Sequence, residues 1–223
     1  MPPAHNCPAL CIFDLDGTLV DSLRDIAEAL NECLELLALP AQPADAYRYL
    51  VGEGMPRLCE RVIGQTHPHL VARLNELARP RYRVRPLRHT RPYPGVPEML
   101  NALRRLGIRL AVLSNKPHEM TLAVVRAFWP DGTFDRVQGY IDERHRKPEP
   151  YWVLRVCQDL RVPPAATWLV GDTPTDIETA QRSGTFAVGV TWGFRSRADL
   201  LAAGATCLVD RPAELVSAIV AGR

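Results

Sequence analysis

The chain has 223 residues, 47% of them apolar and 23% charged, with 27 basic against 25 acidic side chains and a formal net charge of +2. That length allows a sizeable core and exceeds one typical domain without reaching two full ones. The near-neutral balance offers no field for nucleic acid or a membrane surface, no apolar run approaches the roughly 20 residues of a membrane span, and the first residues lack the basic segment of a signal peptide. Six cysteines, at 7, 11, 33, 59, 157 and 207, include no C-x-x-C pair and read as reduced, buried thiols of a cytoplasmic protein.

Residues 9–13 are an unbroken apolar run, suited to a strand buried on both faces, and they lead into Asp14-Leu15-Asp16-Gly17-Thr18. A helix is predicted next, because Leu23, Ile26, Ala27, Leu30, Leu34 and Leu37 recur at helical spacing. Ser22 and Asp25 have the spacing of a capping box, and Pro40 and Pro43 end the helix. Residues 44–84 carry helical patterns and no convincing strand. Between 73 and 91 stand Arg73, Arg79, Arg81, Arg83, Arg85, Arg88 and Arg91 against Glu76 alone. This reads as a solvated helix end and hinge, with steering of an anionic substrate and a nucleic-acid surface as the functional alternatives. Pro86, Pro92, Pro94 and Pro97 stiffen the chain that follows.

After Pro94 the rhythm becomes alternating. Helices are predicted at 96–106, 121–128, 148–160 (with Pro148 in its first turn), 175–183 and 213–220. Strands are predicted at 108–113, 167–170, 185–190 and 206–209, with a weaker one at 134–140. Strands alternating with helices imply a parallel sheet layered by helices, and the first strand belongs to it. The expected fold is therefore α/β: a Rossmann-like parallel sheet core, residues 1–19 and 88–223, with an inserted small all-helical cap domain, residues 20–87.

Ligands of an open parallel sheet bind beyond the carboxyl ends of its strands. Those ends carry Asp14 and Asp16, then Ser114-Asn115-Lys116, then Gly171-Asp172-Thr173-Pro174-Thr175-Asp176, with Lys147 ahead of a helix. Crowded carboxylates repel one another, so a dication is needed to keep them ionised. Magnesium takes one or two protein carboxylates, water and phosphate oxygens. Lysine and serine bind the remaining phosphate oxygens. Two aspartates at i and i+2 can divide the work, one attacking phosphorus and one moving the proton. Gly17 allows a sharp turn beside the anion.

DLDGTLVDS at 14–22, SNK at 114–116, Lys147 in RKPEP and GDTPTD at 171–176 resemble, in order, the four motifs of the haloacid dehalogenase-like hydrolases. The resemblance spans nearly the whole chain. It implies that Asp14 is the nucleophile and a metal ligand, and that Asp16 is the general acid/base with its carbonyl on the metal. Asp172 becomes a metal ligand, Lys147 balances charge, and Asp176 supports Lys147 or a metal-bound water. Ser114 and Asn115 bind the phosphoryl group, and Gly17 and Thr18 contribute to its cradle. Lys116 reads as an exposed neighbour. Ser114 with His118 has no nucleophile elbow around it, His67 and His69 have no further ligands, and Gly52-Glu53-Gly54 follows no buried strand.

The substrate is expected to be chosen by the helical insertion. Residues 49–57 place a Gly-x-Gly turn before a helix, where Gly54 and Arg57 (or Arg48) are candidates to meet a second acidic group. VGEGMPRL at 51–58, TRPYPGVPEML at 90–100, LSNKP at 113–117 and GVTWGF at 189–194 resemble the phosphoglycolate phosphatase branch. That resemblance implies a small-molecule phosphate monoester as partner, 2-phosphoglycolate first, with another small phosphate (a sugar phosphate, a nucleotide or pyrophosphate) or a phosphomutase reaction as alternatives. Neither nucleic acid nor membrane is an expected partner, and the chain is expected to be a cytoplasmic monomer or homodimer.

Overall fold

The computed structural model describes residues 7–84 and 87–222. Arg85 and Pro86, two residues of the basic and proline-rich stretches, lie outside them. In chain order the elements are β1 (Leu10–Phe13), β2 (Val20–Asp21), α1 (Leu23–Leu36), α2 (Gly54–Ile63), α3 (Val71–Val84), β3 (Arg91–Pro92), α4 (Val96–Arg105), β4 (Arg109–Pro117), α5 (His118–Phe128), β5 (Arg136–Tyr140), α6 (Tyr151–Asp159), β6 (Thr167–Gly171), α7 (Pro174–Ser183), β7 (Phe186–Val190), α8 (Arg197–Ala202), β8 (Cys207–Val209) and α9 (Pro212–Ala221).

Six strands form one parallel sheet in the order β5-β4-β1-β6-β7-β8. The alternation of side chains across β1 supplies both layers. Cys11 and Phe13 pack with Leu100 and Leu103 of α4 and with Leu215 and Ile219 of α9. Leu10 and Ile12 pack with Val153 and Val156 of α6 and with Ile177 and Ala180 of α7. The strand is fully buried because it has helices on both sides. The chain leaves β1 toward β4 on one side and later reaches β6 on the other, so the carboxyl ends of these three strands meet at a topological switch point.

The helices α1 to α3 are inserted between β2 and β3, which pair antiparallel at Val20–Asp21 and Arg91–Pro92. Leu30, Leu34, Tyr47, Leu58, Cys59, Leu74 and Ala78 give this unit its own apolar cluster, which Phe194 joins from the loop after β7. Among the described residues no helix is long and apolar enough to cross a membrane.

Two local expectations are corrected. Ser22 sits at the N-cap of α1 without a side-chain capping bond. Its hydroxyl donates instead to Asp16 Oδ1 at 2.6 Å. Asp25 is buried and accepts from His89 N–H (3.1 Å), Thr90 N–H (2.9 Å) and Thr90 Oγ1 (2.6 Å), so it anchors the returning chain. Both side chains meet stronger tertiary partners than the local helix end. The second correction concerns α6, which begins at Tyr151, beyond Pro148, and the Lys147–Pro148 peptide is cis. A residue before proline is driven out of the helical region, and Glu149 precedes Pro150, so the helix cannot start earlier.

Asp25 satisfies the buried Thr90 N–H and the half-buried His89 N–H. Asp25→Ala is expected to lower the unfolding free energy by about 3 kcal/mol, measured by urea denaturation, because those donors are left without partners.

Candidate active site

Asp14 follows β1 directly, and its N–H donates to Val170 O at 2.9 Å, continuing the β1–β6 ladder by one residue. The backbone then turns through Gly17, at φ 91°. A Cβ there would lie 2.2 Å from Asp172 Oδ2, so glycine is required both for the turn and for the approach of Asp172. Asp172 follows β6. Its Oδ1 accepts from Thr18 Oγ1 at 2.9 Å and its Oδ2 from Phe194 N–H at 2.8 Å.

Lys147 is buried and directs its three donors to Asp14 Oδ1 (2.8 Å), Asp176 Oδ1 (2.7 Å) and Leu113 O (3.1 Å). Asp176 Oδ2 accepts from Thr173 N–H and Oγ1, the capping box of α7. Asn115 holds Lys147 in place. Its Oδ1 accepts the Lys147 N–H at 2.9 Å, and its Nδ2 donates to Lys147 O and to Gly52 O. Among the described residues, the hydrogen bond of the Asp14 carboxylate is made by Oδ1, Oδ2 accepts none, and Asp14 lines the pocket.

Oxygens of Asp14, Asp172 and Asp176 lie within 4.8 Å of one another, and all three residues are buried. Burial raises the Asp14 carboxyl from the ordinary 3.8 to about 6; Lys147 opposes the rise, and the Asp176 and Asp16 charges add to it. Asp172 is raised by burial and then by Asp14 and Asp176. Burial lowers the Lys147 ammonium, but its two carboxylate partners outweigh that and raise it. One ammonium among three carboxylates leaves uncompensated negative charge. The donor set is hard oxygen, which fits a magnesium-type dication held by Asp14 and Asp172.

A cavity of about 50 Å³ opens onto Asp14, Asp16 and Ser114 from the sheet and onto Gly52, Gly54, Met55, Leu58 and Tyr82 from the helical unit. Gly17, Thr18, Asp172 and Asp176 lie behind this surface rather than on it. The Gly17 N–H is taken by Val20 O and the Thr18 hydroxyl by Asp172, so both shape the turn from within. Asn115 lines the cavity with its amide already engaged. Arg57 is not brought to the site: it is half exposed and pairs with Glu60 at 2.7 Å. The phase of α2 explains this, since Met55 and Leu58 face the cavity and Arg57 falls off that face. Arg48 donates to Gly193 O at 2.8 Å. A groove of about 680 Å³ adjoins the cavity and includes Arg79, Arg83 and Arg146, with Arg83 paired to Glu119 and Arg146 to Glu143.

The expectation that Lys116 is exposed is overturned. Its side chain is 3% exposed and its Nζ contacts both oxygens of Asp16. Tyr82, which sequence reasoning passed over, reaches the same ammonium from α3. A signal existed for Lys116, because residues two apart on a strand share a face and Ser114 was already placed in the site.

Residues 8–184 match the family model of the haloacid dehalogenase-like hydrolases. A phosphoglycolate phosphatase of Aquifex aeolicus is 36% identical over 183 residues, covering 82% of this chain and 84% of that protein. One from Nitrosospira multiformis is 33% identical over 194 residues, covering 85% and 86%. The crystal structure of a provisionally named phosphoglycolate phosphatase from Lactobacillus delbrueckii subsp. bulgaricus superposes with a TM-score of 0.89 at 30% identity, over 95% of this chain and 98% of that one. The chain belongs to the haloacid dehalogenase-like hydrolases. Within them it is a phosphatase of the phosphoglycolate phosphatase-like branch.

Two outcomes follow from this geometry. Gly17→Ala is expected to fold but to lose affinity for a divalent cation by about tenfold or more, measured by calorimetric titration, because the new methyl displaces Asp172. The second concerns pH. With folded-state carboxyls raised above their unfolded values and no cation present, stability is highest below the unfolded value and falls as pH rises through about 6. A dication competes with those protons. Its addition is therefore expected to raise the melting temperature more at about pH 8 than at about pH 5, and an equal rise at both would contradict the assignment.

Proposed function

We propose that the chain is a magnesium-dependent phosphomonoesterase that works through an aspartyl-phosphate and hydrolyses 2-phosphoglycolate to glycolate and phosphate. The observation that carries this reading is the unequal treatment of the acids. Asp172 has a donor on each oxygen, Asp176 is held by Lys147 and Thr173, and Asp14 alone of the three faces the cavity with an oxygen open.

In this reading the open oxygen of Asp14 attacks phosphorus in line as the bond to the leaving oxygen breaks. Asp16, on the cavity wall beside it, gives its proton to the departing alkoxide. It then takes a proton from the water that attacks the phosphorus of the aspartyl-phosphate, which returns Asp14 to its carboxylate. Ser114 Oγ binds the equatorial oxygens, and Lys147, held by Asp14, Asp176 and Leu113 O, supplies positive charge beside them. Magnesium, held by Asp14, Asp172 and the Asp16 carbonyl, would supply charge neutralisation for the carboxylates and the phosphoryl group.

The helices at 20–87 act as a cap over the core formed by 1–19 and 88–223, and limit the water that reaches the site. The choice of 2-phosphoglycolate is supported by the activity named for the Aquifex and Nitrosospira relatives and by the small cavity. A cytoplasmic setting suits the buried thiols of Cys11, Cys59 and Cys157.

Phosphate release should be measured on 2-phosphoglycolate, sugar phosphates, nucleotides and pyrophosphate, with and without magnesium. The expected result is magnesium-dependent release with 2-phosphoglycolate preferred. Preference for pyrophosphate would overturn the monoester reading, and isomer formation from a hexose phosphate would indicate a mutase. Asp14→Asn is expected to lose at least about a thousandfold in kcat. Rapid-quench mass spectrometry of the active chain should place one phosphoryl group on the peptide that contains Asp14.

A further inference from the structure

We propose that Lys116 is a positioning residue for Asp16, held in place by Tyr82, and that the pair sets the Asp16 carboxylate for proton transfer to the leaving group. The inference rests on the acid role of Asp16 in the reading above. Lys116 Nζ lies 2.9 Å from Asp16 Oδ1, 3.0 Å from Asp16 Oδ2 and 2.5 Å from the Tyr82 hydroxyl. Among the described residues the ammonium is held by Asp16 on one side and Tyr82 on another, and these contacts fix its position against the carboxylate. Lys116 therefore acts through Asp16.

The contacts also distinguish the two oxygens of Asp16. Oδ1 accepts from Ser22 Oγ at 2.6 Å as well as from Lys116, whereas Oδ2 accepts from Lys116 alone among the described residues. Oδ2 thus retains the open position for a proton. During the reaction that proton passes from Oδ2 to the bridging oxygen. The electron pair of the breaking P–O bond goes to the same oxygen, and the new bond to phosphorus comes from Asp14. The two-point contact of Lys116 fixes the carboxylate plane in which Oδ2 is presented.

Tyr82 supplies the third corner from outside the sheet. It stands on α3 and Lys116 on β4, and its ring centroid lies 4.8 Å from the ammonium. Both residues are buried, and an ammonium taken out of water is tolerated only where its geometry is well satisfied. A simple buried ion pair would hold the turn after β1 to β4 without affecting the choice of leaving group, and that difference is measurable.

The test compares kcat/KM on 2-phosphoglycolate, on ethyl phosphate, whose alkoxide needs a proton but carries no carboxylate, and on p-nitrophenyl phosphate, whose leaving group departs without one. For Lys116→Met the loss on both alkyl esters is expected to exceed the loss on the aryl ester by about tenfold or more. An equal loss on all three would leave Lys116 a structural residue and overturn the proposal. A loss confined to 2-phosphoglycolate would make it a reader of the substrate carboxylate and overturn it as well.

Tyr82→Phe keeps the ring and the Lys116–Asp16 pair, and is expected to give the same alkyl-selective pattern at smaller size. It decides the matter if Lys116→Met fails to fold, and a uniform loss in Tyr82→Phe would then count against the proposal. Asp16→Asn separates the two levels of the argument. If it is alkyl-selective and the Lys116 and Tyr82 variants are not, only the present inference fails. If none is selective, the acid role of Asp16 fails and the inference fails with it.

Discussion

The bond network of Lys147 is the constraint on which the rest of the site depends. A buried ammonium and buried carboxylates are each costly alone, and each is tolerable only with the other in good geometry. Lys147 meets Asp14 at the end of β1, Asp176 in the first turn of α7 and Leu113 O on β4. One side chain therefore ties three separate strands of sequence to a single point. The close packing this demands leaves no room for side chains nearby. A Cβ on Gly171 would fall 2.2 Å from Asp176 Cγ, just as one on Gly17 would fall on Asp172. The glycines in the first and last motifs are thus consequences of how tightly the acids are drawn together, rather than of loop flexibility.

Residues 49–53 of the helical unit meet this core through their backbone carbonyls. Arg195 donates to the carbonyls of Tyr49 and Val51, Asn115 to that of Gly52, and Arg146 to that of Glu53. In the other direction Arg48 donates to Gly193 O. Residues 49–53 are therefore gripped by their main chain while α2 turns Met55 and Leu58 into the cavity. Such an arrangement fixes where the segment lies and leaves its side chains to define the cavity wall. It also accounts for the fate of the nearby arginines. Arg48 and Arg146 are spent on the junction, so of the two arginines that look in sequence like readers of the substrate one joins the units and the other, Arg57, pairs with Glu60 away from the cavity.

Much of the fold was legible because its signals are local. The apolar run before Asp14, the helical spacing of Leu23 to Leu34 and the strand–helix alternation after Pro94 each fix an element by its own periodicity. The acids were legible for a related reason, since a parallel sheet gathers its strand ends whatever the loops do. What escaped depends on contacts distant in sequence. Ser22 and Asp25 have capping spacing, yet their bonds go to Asp16 and to residues 89–90. The apolar stretch of β4 ends at Leu113, which makes Lys116 look solvated. Pairing of Pro117 with Tyr140 carries the strand past it, and the ammonium is buried between Asp16 and Tyr82. Tyr82 itself has no motif around it, and only the packing of α3 over the sheet gives it a role.

The charges of the assembled site explain why two aspartates can stand two residues apart. Each has its own lysine: Asp14 takes Lys147 and Asp16 takes Lys116, from different elements. With Asp172 and Asp176 added, four carboxylates face two ammoniums, which leaves two negative charges at the end of the sheet. That excess opposes the approach of a phosphate dianion and matches the charge of one divalent cation. Local pairing reduces the repulsion between Asp14 and Asp16, which still contributes to raising the Asp14 carboxyl. The Asp172 carboxyl is raised by burial and by Asp14 and Asp176, and Asp172 does not line the cavity. The lysines thus let two aspartates stand two residues apart, while the excess negative charge of the cluster fits one divalent cation.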